Sequence, residues 1–144
     1  MTKEEMAKKM RILAISIGVV YLWFGMLKFF PGLSPAEGLA TDTIHNLTFG
    51  LIEPHVSIIM LAIWEITIGL LFIFAPLKRV VIILTLVHMV LTFTPLLFFP
   101  DLSFNSYPFS LTLVGQYIIK NLIIISALIV ICPPKNKIPI IENK

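Results

Sequence analysis

Four polar side chains stand inside otherwise apolar stretches of this chain, and their types are those of acid, base and hydrogen-bond chemistry. Glu65, His88, Gln116 and Lys120 each fall within a run of about twenty apolar residues. A charged or strongly polar group in such a run is costly in lipid, so it is expected to face the interior of a helix bundle and to find a partner there. Glu65 lies nine residues into its run, His88 eight and Lys120 nine. At about 1.5 Å of rise per residue, each sits ~12–14 Å from a membrane face, near the middle of a ~30 Å hydrocarbon core. The shared depth predicts a buried polar pocket in which Glu65 pairs with Lys120 and Gln116 adds an amide. His88, a side chain that ordinarily titrates close to neutral pH, would move protons there. Lys28, three residues before Pro31, is a fifth candidate. Its ammonium either snorkels to the interface at the negative end of its helix or leans inward to the same pocket. The plainer reading of the whole set is a buried ion pair that fixes helix register, with His88 hydrogen-bonded beside it.

Helical spacing sorts these residues into stripes, because positions three or four apart share a face. Gly18, Tyr21, Gly25 and Lys28 form one stripe, and Glu65 and Gly69 a second. Thr85, His88 and Thr92 form a third, and Thr112, Gln116 and Lys120 a fourth. Small residues in such stripes let helices approach closely.

The elements that must carry them are transmembrane helices. The 144 residues are 58% hydrophobic and 13% charged, against about 45–50% and about 25% in soluble domains. The apolar residues gather into runs at 12–30, 56–77, 80–99 and 111–132, stopped by Pro31-Gly32, Lys78-Arg79, Pro100-Asp101 and Pro133-Pro134. Each is long enough to span, and none alternates as a strand would. The expected fold is all-α: a polytopic four-helix bundle forming one domain over residues 1–144. Lys3, Lys8, Lys9 and Arg11 precede the first run, Lys78 and Arg79 sit between the second and third, and Lys135, Lys137 and Lys144 follow the fourth. The connections 31–55 and 100–110 hold no Lys or Arg. That alternation places both termini on the cytoplasmic side. The charged start reads as a retained first helix, not a signal peptide, because its apolar run is too long and no small-residue cleavage site follows.

In the first outer connection, Ser34-Pro35-Ala36-Glu37 has the form of a capping box with Pro at the first helical position. It predicts a short interfacial helix to about Thr48. Leu39, Ile44 and Leu47 would lie against the bilayer or the bundle. Phe104, Tyr107 and Phe109 suit the interface in the other outer connection. Asp42, His45, Glu53 and His55 follow no metal-ligand spacing and read as a solvated face, so no metal is expected. The lone Cys132 cannot form an intramolecular disulfide and reads as packing. The net charge of +3 sits at the ends of apolar runs, as topology requires, and does not describe a nucleic-acid surface. No phosphate loop, nucleophile triad or nucleotide fingerprint is present.

Trp23-Phe24-Gly25-Met26-Leu27-Lys28-Phe29-Phe30-Pro31-Gly32, Trp64-Glu65 and Gly115-Gln116-Tyr117-Ile118-Ile119-Lys120-Asn121-Leu122, set in four helices, resemble the DoxX-like membrane proteins. They are similar also to the related group that includes an inner-membrane protein of reactive-chlorine resistance. The resemblance runs over nearly the whole chain and implies a small bacterial inner-membrane bundle. It marks Lys28, Glu65 and Lys120, and it implies links to quinone-coupled oxidation, to oxidative-stress complexes and to accessory roles.

Three functions follow as expectations. The first is an accessory or quinone- and redox-stress-associated subunit. There Lys120 and Gln116 would hold quinone oxygens, Glu65 and His88 would relay protons, and a partner protein would supply electrons. The second is a purely structural or chaperone-like partner of a membrane complex. The third is a small proton or anion carrier, for which a homo-oligomer would be needed.

Overall fold

The computed structural model describes residues 2–34, 37–75 and 79–133. Four of its helical stretches are long and apolar enough to cross a membrane: Lys3–Leu27, Pro54–Phe74, Arg79–Phe98 and Leu113–Ile131. The chain therefore has the make-up of a multi-pass membrane bundle. Pro35, Ala36, Lys78 and the tail lysines Lys135, Lys137 and Lys144 lie outside the described residues, as does the predicted end of the second run at position 77.

Helix α1 (Lys3–Leu27) begins well before the apolar run. Thr2 caps it, accepting from the Glu5 N–H at 3.2 Å, while the Glu5 carboxylate accepts from the Thr2 N–H at 2.8 Å. This reciprocal cap satisfies two of the donors that a helix start leaves free. Helix α3 (Pro54–Phe74) runs back along α1, and this is the most extensive packing in the molecule. Glycines make that closeness possible. A Cβ on Gly69 would fall 2.8 Å from both the Gly18 carbonyl oxygen and the Leu22 nitrogen, and one on Gly25 would fall 3.0 Å from Glu65 Cβ. At the terminal end of the bundle, Arg11 donates to the carbonyls of Phe72, Ile73 and Ala75. These are the orphan acceptors of α3, otherwise facing lipid or headgroups. Arg11→Met leaves them bare, and each lost bond to a charged donor is worth about 1.5–3 kcal/mol. The expected result is a visibly lower thermal midpoint in detergent, whereas Arg11→Lys retains part of it.

The short helix between these two is α2 (Glu37–Leu47). It exists as expected, but its start is built differently. Among the described residues the buried Ser34 Oγ has no partner. The Glu37 carboxylate instead accepts from the Gly32 N–H at 3.0 Å, tying the helix back to the turn that leaves α1. Leu39 and Ile44 are half-buried and Leu47 is exposed. Gly50, at φ 78°, ends α2 by donating to the His45 carbonyl at 2.8 Å, a left-handed closure that suits glycine.

The third span departs from one continuous helix. α4 (Arg79–Leu91) stops three residues past His88, and α5 (Pro95–Phe98) resumes after a tightened turn. Pro95 has no N–H and its ring crowds the preceding turn. The Phe93 and Thr94 N–H groups accordingly bond three residues back, to Val90 and Leu91. The hydroxyls of Thr92 and Thr94 cover the Met89 and Leu91 carbonyls. A membrane tolerates such a break only where freed groups are re-satisfied in this way.

Beyond α5 come α6 (Pro100–Ser103) and a small antiparallel hairpin, β1 (Phe104–Ser106) with β2 (Ser110–Leu111). Phe104 and Tyr107 pack edge to face at 5.2 Å. Thr112 then caps α7 (Leu113–Ile131), accepting from the Gly115 N–H while donating to the Leu102 carbonyl. The bundle core is apolar: Ala14 and Ile17 from α1, Ile68 and Phe72 from α3, Ile82 and Met89 from α4, Leu128 and Ile131 from α7. Large apolar side chains elsewhere, such as Trp23, Ile63, Val90 and Ile123, point outward, as a lipid-facing surface requires.

Candidate functional site

Three of the five polar residues singled out in the sequence come together. Lys28, just past the end of α1, places its ammonium 2.6 Å from Glu65 Oε2, and both side chains are only 10% exposed. His88 Nε2 lies 3.6 Å from the other carboxylate oxygen, Oε1. On its far side, His88 Nδ1 is 2.9 Å from the Tyr21 hydroxyl, and the two rings meet edge to face at 5.5 Å. The chain of contacts is Lys28–Glu65–His88–Tyr21. It draws on α1 twice, on α3 and on α4.

Its donors and acceptors sort themselves. A carboxylate only accepts, so Glu65 takes a proton bond from Lys28 and faces the N–H of His88 Nε2. A neutral imidazole protonated there has a lone pair on Nδ1, which accepts from the Tyr21 hydroxyl. Each group has one consistent role. The spacing follows from local structure. Gly25 carries no side chain, so the Glu65 segment of α3 lies against α1, and Lys28 one turn on reaches over it. Tyr21 and Lys28 are seven residues apart, two turns on one face.

Gln116 and Lys120 are not part of this cluster. Both are exposed on α7, on the side turned away from the other helices. The Lys120 ammonium stands 5.4 Å from the centroid of the Tyr117 ring. The expected Glu65–Lys120 pair is thus replaced by Glu65–Lys28, and of the two readings of Lys28 the inward one holds. The reason is the face that α7 presents. Gly115, Ile118, Leu128 and Ile131 are the buried positions, and Gly115 packs so tightly on the Ser103 carbonyl that no side chain fits there. That docking turns Gln116 and Lys120 outward. The inward polar group of α7 is Asn121, which donates to Thr92 Oγ1 at 3.3 Å beside the break after α4.

Tyr21, a stripe residue by spacing, is also a member of the cluster. Its signal was there: it lies between Gly18 and Gly25 on the face that meets α3. Thr85, one turn from His88, is fully buried but spends its hydroxyl on the Val81 carbonyl.

The cluster is closed. Toward the terminal end it meets the apolar layer of Ile17, Ile68, Phe72 and Ile82. Two clefts lie elsewhere. One, of about 390 Å³, opens at the hairpin end between the start of α2 and the start of α3, lined by Gly32, Glu37, Thr41, His55 and Ile58. The other, of about 340 Å³, is an apolar groove on the outside of α3 and α4, lined by Met60, Trp64, Thr67 and Leu84. No group of three or more metal-ligating side chains occurs among the described residues. Asp42, His45, Glu53 and His55 do not converge on such a site.

No family model, no curated protein and no solved structure matches the chain.

Proposed function

We propose that the chain is an accessory subunit of a redox-linked complex in a bacterial inner membrane, with both termini cytoplasmic. In this reading the Lys28–Glu65–His88–Tyr21 line holds α1, α3 and α4 as one unit that a partner protein docks against. The observation that carries it is the closure of the cluster. Its charged members are almost fully covered, and neither cleft is lined by any of its four residues. A quinone site built on the cluster needs its donors reachable from the lipid phase, whereas Glu65, His88 and Tyr21 are buried and the exposed donors Gln116 and Lys120 stand apart from them on α7. A carrier needs a polar path through the bundle, and the apolar layer beneath Tyr21 interrupts it. The redox link rests on the resemblance to the DoxX-like proteins.

The test is gentle purification from native membranes, with Tyr21→Phe beside the wild type, followed by mass spectrometry of both protein and organic extract. The expected result is one stable protein partner recovered with each form and only bulk lipid in both extracts. Stoichiometric quinone in the wild type, lost in Tyr21→Phe, would make the cluster a quinone site and sink the accessory reading. Recovery of the chain alone, with neither partner nor quinone, would also overturn it.

A further inference from the structure

The outward face of α7 carries donors that nothing in the bundle uses. Gln116 and Tyr117 sit one turn before Lys120 on it, flanked by Leu113 and Ile123, and all five are exposed. The Lys120 ammonium contacts only the Tyr117 ring among the described residues. A lysine left in hydrocarbon costs several kcal/mol, so it is expected to reach an interface or a counter-charge.

Its direction selects between these. Helical side chains lean toward the start of their helix, and Tyr117 is three residues nearer to Leu113. The ammonium is therefore aimed at the hairpin end. Lys120 is seven residues from Leu113, about 10 Å along the axis, and the aliphatic stem closes much of that gap. The Gln116 amide and the Tyr117 phenol lie on the way. Three donors, one of them cationic, thus share this exposed face, Lys120 reaching from near mid-depth toward the hairpin-end headgroups, with Leu113 and Ile123 beside them to pack acyl chains.

We propose that this face binds the phosphodiester of an anionic glycerophospholipid in the leaflet at the hairpin end. Ammonium to phosphate is a charge-assisted contact, and the amide and phenol add neutral donors to the same oxygens. The described spanning helices of a second copy of this chain offer no free carboxylate. Glu65 is the acidic residue within the apolar part of the described spanning helices, and it is buried against Lys28. A carboxylate on a partner helix at mid-bilayer depth would lie away from the direction in which Lys120 points. The proposal stands independently of the accessory reading, since it needs neither the cluster nor a partner.

The experiment is native mass spectrometry of the detergent-purified chain after mixing with micelles holding equal phosphatidylglycerol and phosphatidylcholine. Wild type is expected to retain one phosphatidylglycerol in preference to phosphatidylcholine. Lys120→Met should lower that retention about fivefold, the effect of one cation near a charged lipid surface, and Lys120→Arg should preserve it. Because Lys120 is exposed, folding is checked simply, by unchanged thiol labelling of Cys132 in all three forms. Equal retention of the two lipids, or retention unmoved by Lys120→Met, would overturn the proposal. So would a photoreactive residue at Ile123 that captures a protein segment while phosphatidylglycerol binding is absent.

Discussion

Lys28→Met is expected to destabilise the folded bundle by about 3–5 kcal/mol, the cost of leaving one member of a buried ion pair without its partner. Glu65 would remain next to His88 with no cation beside it, in a position where water does not reach freely. The size of the effect comes from the orphaned charge and not from the worth of the pair. The double variant Lys28→Met/Glu65→Leu is therefore expected to recover most of the loss, since replacing a buried pair by packed apolar groups is often close to neutral. Glu65→Leu alone strands Lys28, but that residue sits at the end of α1 and can turn toward the interface, so its cost is smaller. Lys120→Met is the control that decides the pairing. An exposed substitution away from any such feature stays within about 0.5 kcal/mol. The measurement is a denaturing-detergent titration read by thiol labelling of Cys132, which packs against the core cluster and becomes reactive on unfolding. If Lys120→Met proved the costly change and Lys28→Met the mild one, the assignment of the carboxylate's partner would be wrong.

The two lysines differ in what sequence pattern determines about them. Depth was legible, because counting residues from the ends of an apolar run fixes height along a helix axis. Glu65 and His88 do meet at one level. The stripe Gly18, Tyr21, Gly25 and Lys28 was also legible, and its glycines and Tyr21 face into the bundle while Lys28 meets Glu65. The face of α7 was not. Gln116 and Lys120 share one side of that helix and Gly115, Ile118 and Asn121 another, and spacing alone ranks two lysines equally. What separates them is docking: the Gly115 backbone lies on the Ser103 carbonyl, across the β1–β2 hairpin, a contact that helical spacing does not report. A small residue at a helix start was the available hint. The break after Leu91 was equally present in the sequence as Pro95, yet hydropathy passes through it unchanged. Hydropathy scores transfer into lipid, whereas a missing N–H is a matter of backbone bonding. The capping motif at Ser34 met a similar fate, since Glu37 bonds the Gly32 N–H and the Ser34 hydroxyl has no partner among the described residues.

Gly69→Ala is expected to loosen the contact between α1 and α3 by about 1–3 kcal/mol, the usual cost of forcing a methyl group into a filled space, and Gly69→Val to exceed it. The reason lies in what the new carbon meets. It would stand 2.8 Å from the Gly18 carbonyl oxygen and 2.8 Å from the Leu22 nitrogen, both backbone atoms that cannot rotate away. The helices must part along their length, which also withdraws Glu65 from Lys28 one turn up. Gly38→Ala supplies the comparison: nothing lies within 4 Å of a Cβ built there, and it opens the exposed first turn of α2. Helix propensity favours alanine over glycine by about 1 kcal/mol at an unhindered helical position, so Gly38→Ala should be neutral or mildly stabilising. In the same detergent titration the two changes should move the midpoint in opposite directions, although each adds one methyl to a helix. A shift of Gly69→Ala toward stability would mean that α1 and α3 do not approach as closely as described. The reach of Lys28 over Gly25 to the carboxylate would then lose its physical basis as well.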